Sequence, residues 1–162
     1  MGVLSDSHDN MNKLKEALKI FNEQNVALVV HGGDLIAPFV VPLFEQLNCN
    51  VIATFGNNDG ERAGLNGKFA EIAGIIREQP VIETFEGKSV CVVHGDHLDL
   101  LNITLLSGQF DLVVSGHTHR PKTEQVGRTL HVNPGECGGW LTGRSTIALV
   151  DLETKTVDVV DL

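Results

Sequence analysis

Apolar positions along this chain follow two rhythms, and the change between them divides the sequence roughly in half. In the first half, short apolar runs alternate with helical patterns. Val3-Leu4 ends a short buried strand. Asn10 caps a helix in which Met11, Leu14, Leu18 and Phe21 recur at helical spacing. Ala27 to Val30 reads as a buried strand, Pro38 to Leu47 as a helix with proline in its first turn, and Val51 to Phe55 as a third strand. Strand–helix–strand–helix–strand order predicts a parallel sheet with right-handed crossovers.

The second half is richer in strands. Val81 to Phe85 and Val90 to Val93 flank the turn Glu86-Gly87, and Thr123 to Val126 and Thr129 to Val132 flank Gly127-Arg128. Leu98 to Leu106 is predicted helical and Leu112 to Val114 a buried strand. Thr146 to Leu152 and Thr156 to Val160 form a closing hairpin. So many strands with outlying helices predict two sheets packed face to face and covered by helices, a layered α/β sandwich. The 162 residues fit one domain, residues 1–162.

The residues that follow the strands carry the chemistry. They are Asp6-Ser7-His8, Gly32-Gly33-Asp34, Gly56-Asn57-Asn58-Asp59, His94-Gly95 and Gly116-His117-Thr118-His119. Where strands run parallel, these loops emerge at one sheet edge, which is where ligands bind. Asp6 and His8, like His117 and His119, are two residues apart, so in extended backbone each pair points the same way. Paired divalent metals need a bridging carboxylate with donors on both flanks. Mixed imidazole and carboxylate donors suit manganese first, with nickel, iron or zinc as alternatives. Each motif alone is weak; the set after successive apolar runs is the signature of a metal site.

Composition narrows the partners. A formal charge of −9 argues against nucleic acid polymers and anionic membranes, yet allows a small anion that meets bound cations. No apolar run approaches the roughly 18 residues of a membrane span, and no basic-then-apolar leader opens the chain. Cys49, Cys91 and Cys137 fit neither a zinc pattern nor a disulfide framework, as expected of free thiols in a reducing cytoplasm. Self-association stays open.

Asp6-x-His8, Gly33-Asp34, Gly56-Asn57-x-Asp59, His94-Gly95 and Gly116-His117-x-His119 together resemble the motif series of calcineurin-like metallophosphoesterases. The stretch 56–62 and Asn133-Pro134-Gly135-Glu136 are most similar to the small YfcE-type phosphodiesterases. The resemblance implies a four-layer α/β/β/α sandwich of two mixed sheets flanked by helices. It implies a hydrolase of small phosphate esters that works by in-line attack of a hydroxide bridging two metals. Asp6, His8 and His119 would hold one ion, Asn57, His94 and His117 the other, and Asp34 would bridge them. Two departures stand out. Asn58 occupies a place where the superfamily usually carries a histidine that helps the leaving group depart, which predicts substrates with good leaving groups. The chain also begins so close to Ser5-Asp6 that its first strand looks clipped, which predicts a natural start upstream.

Other residues have competing readings. His97 is a candidate proton donor. His31 reads as a packing or supporting residue, His131 as structural, and Asp59 as either a loop organiser or a turn residue. Arg62 and Arg144 read as phosphate forks or as surface salt bridges, the latter favoured. Trp140 is equally a substrate wall or a packing anchor. The competing function is an interaction module like the retromer subunit of this fold, whose metal motifs are incomplete; here every motif position is filled. A metal-binding regulatory domain is a third reading.

Overall fold

The computed structural model describes residues 1–162. Fifteen elements follow one another: β1 (Gly2–Leu4), α1 (Met11–Glu23), β2 (Leu28–His31), a 3-10 helix (Pro38–Gln46), β3 (Asn50–Thr54), α2 (Arg62–Glu71), β4 (Ile75–Arg77), β5 (Val81–Phe85), β6 (Lys88–Val92), α3 (Leu98–Leu106), β7 (Leu112–Val114), β8 (Pro121–Val126), β9 (Thr129–Pro134), β10 (Thr146–Asp151) and β11 (Thr156–Asp161). The first sheet has the order β11-β10-β1-β2-β3-β4 and the second β5-β6-β7-β9-β8. β1 to β4 are mutually parallel, as are β6, β7 and β9, with antiparallel strands at the flanks.

Alternation of side chains builds the layers. In β1 to β3, Val3, Leu28, Val30 and Ile52 turn inward. They meet Val90, Val92, Leu112, Val114, Leu130 and Val132 of the second sheet in one dry core. Their neighbours Leu4, Val29, Val51 and Ala53 turn outward, onto Leu14, Leu18 and Phe21 of α1, Val40, Val41 and Phe44 of the 3-10 helix, and Leu65 and Phe69 of α2. On the far face, Cys91 and Val113 pack with Leu105 of α3 and with Phe110. Strands with a period of two place successive residues on opposite faces, so three cores separate four layers: helices, sheet, sheet, helix.

The structure adds two points to the sequence reading. The helix expected from Pro38 to Leu47 is a 3-10 helix from Pro38 to Gln46, and Pro42 lies inside it. Proline has no N–H to donate and its ring crowds the preceding turn, which disfavours the α ladder. The pair α2 and β4 had no sequence signal. α2 contains Gly64 and Gly67 and buries only Leu65 and Phe69, so its apolar pattern is too sparse to read.

Phe21 marks how close the packing is: it is fully buried, and a Cβ added at Gly2 of β1 would lie 2.5 Å from its ring. Phe21→Ala is therefore expected to lower unfolding stability by about 3–5 kcal/mol. Urea denaturation followed by circular dichroism measures this. A loss below about 1 kcal/mol would contradict a rigid seam between α1 and β1.

Candidate metal centre

The carboxyl ends of β1, β2 and β3 in one sheet, and of β6, β7 and β9 in the other, open on the same edge of the sandwich. Backbone hydrogen bonds extend the ladders into the loops: Asp6 N–H donates to Gly33 O at 3.0 Å, His8 N–H to Asp34 O at 3.1 Å, and Gly116 N–H to His94 O at 2.8 Å. These contacts bring polar groups from distant parts of the chain together. Donor atoms of Asp6, His8 and His119 lie within 4.8 Å of one another, as do those of Asp6, Asp34 and His94. Asp34 Oδ2 is 3.5 Å from both His8 Nε2 and His94 Nε2. His119 Nε2 is 3.5 Å from Asp6 Oδ1. Asn57 Oδ1 lies 2.9 Å from His94 Nε2 and 3.0 Å from His117 Nδ1.

The pairs at two-residue spacing converge for a reason other than the one expected. Asp6 and His8 have φ of 51° and 41°, and His117 and His119 of 65° and 59°. Their backbone is left-handed rather than extended. Tight left-handed turns let a short loop aim both side chains back at the strand ends, a strained arrangement typical of functional sites. Gly33, at φ 99°, makes the close approach possible: a Cβ there would lie 2.8 Å from both Gly56 N and His94 Nδ1.

The electrostatics mark the cluster as a place for cations. Asp6 and Asp34 are almost completely buried. Burial is the main cause that raises the Asp6 carboxyl above its ordinary range, and the nearby Asp34 charge adds to it. Burial also pushes Asp34 upward, but the hydrogen bond and charge of His94 and the two hydrogen bonds from Asn58 outweigh it and hold that carboxyl low. In the same way, burial would lower His94, yet its contact with Asp34 raises it to about 9. His94 then donates from both nitrogens, to Gly32 O at 2.8 Å and to Asn57 Oδ1 at 2.9 Å. His8 Nε2 is buried without any hydrogen-bond partner, although two carboxylates face it. A buried orphan nitrogen among carboxylates fits a divalent cation, and the nitrogen–oxygen donor set fits a transition metal.

Around the cluster lies a second ring of contacts. Asp59 is buried, and its carboxylate accepts N–H groups from Asp34 at 2.9 Å, Gly56 at 2.8 Å and Ile36 at 2.8 Å. It ties the loop after β2 to the loop after β3. Burial nonetheless pushes its carboxyl above the ordinary range, against the effect of those donors. His31 is buried and neutral: burial lowers it to about 3, its Nδ1 accepts Gly33 N–H, and its Nε2 meets Ser7 Oγ at 3.0 Å. Glu136 is fully buried and binds His119 Nδ1 at 2.6 Å, which leaves Nε2 of that ring turned to Asp6. Sequence reasoning noted Glu136 only within a motif; a glutamate after an apolar strand gives no sign of its histidine partner.

Of the remaining candidates only Asn58 touches the cluster. The His97 side chain is 72% exposed, and its nearest carboxylate is Asp96 at 3.6 Å. Asn58 binds Asp34 twice, from N–H at 2.8 Å and from Nδ2 at 2.7 Å. Arg62 is held by Glu78 and lies over the Phe55 ring, Arg144 pairs with Asp161, and His131 bridges Ser115 and Glu124. All three cysteines are free. No helix is long and apolar enough to cross a membrane.

Comparison with known proteins agrees with this geometry. A profile described as the calcineurin-like phosphoesterase superfamily domain matches residues 1–155. Phosphodiesterase MJ0936 of Methanocaldococcus jannaschii is 42% identical over 160 residues, 96% of this chain and 94% of that protein. Phosphodiesterase YfcE of Escherichia coli is 31% identical over 151 residues, 81% of this chain and 75% of that protein. The solved structure of an archaeal phosphodiesterase superposes with a TM-score of 0.94 at 40% identity, covering 99% of this chain and 98% of the other. A single mutant of Vps29 from Entamoeba histolytica superposes with a TM-score of 0.72 at 16% identity, covering 100% of this chain and 99% of the other. At that identity the likeness shows the fold alone.

The contacts of Asp59 predict a dual effect. Asp59→Ala leaves backbone donors without partners, each costing roughly 1–3 kcal/mol, and frees the two loops that carry Asp34 and Asn57. Denaturant midpoint and metal content by elemental analysis should both fall. Unchanged stability together with full metal content would show that the carboxylate does not organise these loops.

Proposed function

The chain belongs to the calcineurin-like phosphoesterase superfamily, and we propose that within it the protein is a dinuclear metal-dependent phosphodiesterase that hydrolyses small phosphodiesters by in-line attack of water-derived hydroxide. The observation that carries this reading is the clustered set of buried Asp6, Asp34 and His94 with part-buried His8 and His119, His8 Nε2 being unpaired among carboxylates. Identity of 42% to a phosphodiesterase supports the substrate class.

Asp6, His8 and His119 would hold one ion, and Asn57, His94 and His117 the other. Asp34 would bridge them, a reading supported by its Oδ2 lying 3.5 Å from the imidazoles of both His8 and His94. Manganese is the metal this donor set favours, with nickel, iron or zinc as alternatives. Two divalent ions held there would supply Lewis acidity toward a phosphate oxygen and would bring the pKa of water down toward 7. The chain's own residues set the geometry. Glu136 fixes the tautomer of His119, Gly32 O fixes that of His94, and Asn58 holds Asp34 by both oxygens. His117 is exposed at the rim, where it can steady charge that grows on the phosphoryl group. Water adds to phosphorus, the P–O bond to one ester group breaks, and a monoester and an alcohol leave.

Chelator followed by dialysis is expected to abolish hydrolysis of bis(p-nitrophenyl) phosphate, and added manganese to restore it. Asp34→Asn should lower turnover by orders of magnitude, and by more than Asn57→Ala does, because Asn57 serves one ion only. Full activity in metal-free protein would refute the reading; tight metal binding with no ester hydrolysed would favour a regulatory or interaction module instead.

Acid should act through the metal. Because Asp34 raises His94 to about 9, the metal-free ring is protonated at neutral pH and a cation must displace that proton. Metal affinity therefore increases as pH rises toward 9 and is lost on acidification. At fixed sub-saturating manganese, activity should fall steadily on acidification, down to and below roughly pH 6, as protons compete with metal for the ligand set. A flat profile from about pH 5 to 8 would count against histidine ligation.

A further inference from the structure

The loop after β9 holds two large apolar side chains in solvent beside the candidate metal centre. Trp140 is 65% exposed and Leu141 75%. Both are pinned. The indole Nε1–H donates to His8 O at 3.0 Å, and Leu141 N–H donates to the Glu136 carboxylate at 3.1 Å. With Ile36, Asn58, Asp9, His8 and His119 they line a cavity of about 570 Å³, within the size range of small-molecule sites. Ile36 has φ 91°. A β-branched residue rarely takes that conformation; here Asp59 Oδ1 retains it by accepting Ile36 N–H at 2.8 Å. One wall of the cavity is thus candidate metal ligand, and the other is apolar, rigid and held at the expense of backbone strain, as expected where a ligand is clamped.

The chemistry of the lining selects the occupant. No lysine or arginine lines the cavity, so it offers nothing to a second phosphate or to a nucleic acid backbone. The one acid beyond the cluster, Asp9, has Oδ1 engaged by Ala37 N–H at 3.0 Å. What remains is a planar indole flanked by two aliphatic side chains, a surface suited to a flat ring. We propose that Trp140, Leu141 and Ile36 form the seat for an aromatic group of the phosphate ester, which makes Trp140 the residue that selects aryl over small alkyl esters. The proposal rests on the phosphodiesterase reading and specifies its substrate class.

Trp140 is the only tryptophan and the chain has no tyrosine, so intrinsic emission reports this position alone. The test compares phenylphosphonate with methylphosphonate, neither of which is hydrolysed, on manganese-loaded protein by calorimetry and Trp140 fluorescence. Phenylphosphonate is expected to bind about tenfold more tightly, a factor typical of stacking on an aromatic side chain, and to change the emission; methylphosphonate should leave the emission as it is. Trp140→Phe loses the hydrogen bond to His8 but keeps a ring, and should retain most of the preference. Trp140→Ala should reduce the preference to about twofold while methylphosphonate affinity and manganese content stay as in the unaltered protein. Equal affinities in the unaltered protein, or a preference that survives in Trp140→Ala, would overturn the aromatic seat and leave the phosphodiesterase reading standing. Failure of both phosphonates to bind would overturn the seat; the phosphodiesterase reading falls only if the manganese-loaded protein also fails to hydrolyse bis(p-nitrophenyl) phosphate.

Discussion

Two carboxylates, Asp6 and Asp34, are buried together where the two sheets meet, and most of the surrounding structure is arranged to tolerate them. An unpaired buried anion is far too costly to keep. Asp6 accepts the His117 N–H at 3.0 Å, and Asp34 receives both hydrogen bonds of Asn58 and faces His94 and His8. Partial neutralisation of this kind holds the site together without satisfying it: Asp6 stays above its usual range and His8 Nε2 stays unpaired. The site keeps a debt of positive charge, and the folded scaffold is what prevents the carboxylates from separating into water to relieve it.

How much of this could be read from sequence depends on the range of each signal. Period-two and helical patterns are local, so β1, α1, β2 and β3 were legible, and with them the loops that carry Asp6, Asp34 and Asn57. Pairing across the sandwich was not. That His94 reaches Gly32 O and Asn57 depends on the docking of one sheet on the other, which no local pattern encodes. The left-handed backbone at His8 and His119 was hidden for a different reason: histidine tolerates positive φ more than most residues but adopts it only in a minority of cases, so the residue type alone does not predict it. The contacts of Asp59 are a third kind. Its identity as a loop residue was visible, but three backbone donors 3, 23 and 25 positions away could be found only in the fold.

Glu136 links parts of the site that would otherwise be independent. One oxygen holds His119 Nδ1, and the other accepts Thr142 N–H and Thr142 Oγ1–H, both at 2.6 Å. The orientation of a candidate metal ligand and the position of the Trp140 loop are therefore set by one buried carboxylate. The indole in turn reaches His8, on the other flank of the same cluster. The imidazoles of His8 and His119 stack at 5.3 Å between those anchors, and the indole's hydrogen bond to His8 is to its backbone oxygen rather than to its ring. The proposed substrate wall is thus anchored at a backbone atom beside the candidate metal centre, an arrangement that would favour precise placement of the ester.

Asn58 brings the wall and the chemistry to the same conclusion. Its amide is engaged with Asp34 and carries no proton that an alkoxide could take. His97, the other candidate donor, points its exposed ring at Asp96. Protonation of a leaving group by a side chain is worth about 10²–10⁴ in rate for a poor leaving group and little for an aryl oxide, which departs as a stable anion. A phosphoesterase site without that acid would handle aryl esters better than alkyl esters. Selection by the indole of Trp140 and selection by leaving-group stability are separate physical effects acting at different stages, one in binding and one in bond cleavage. Under the proposed reading they would favour the same substrates, so the asparagine in place of a proton donor would cost this site little of its working range.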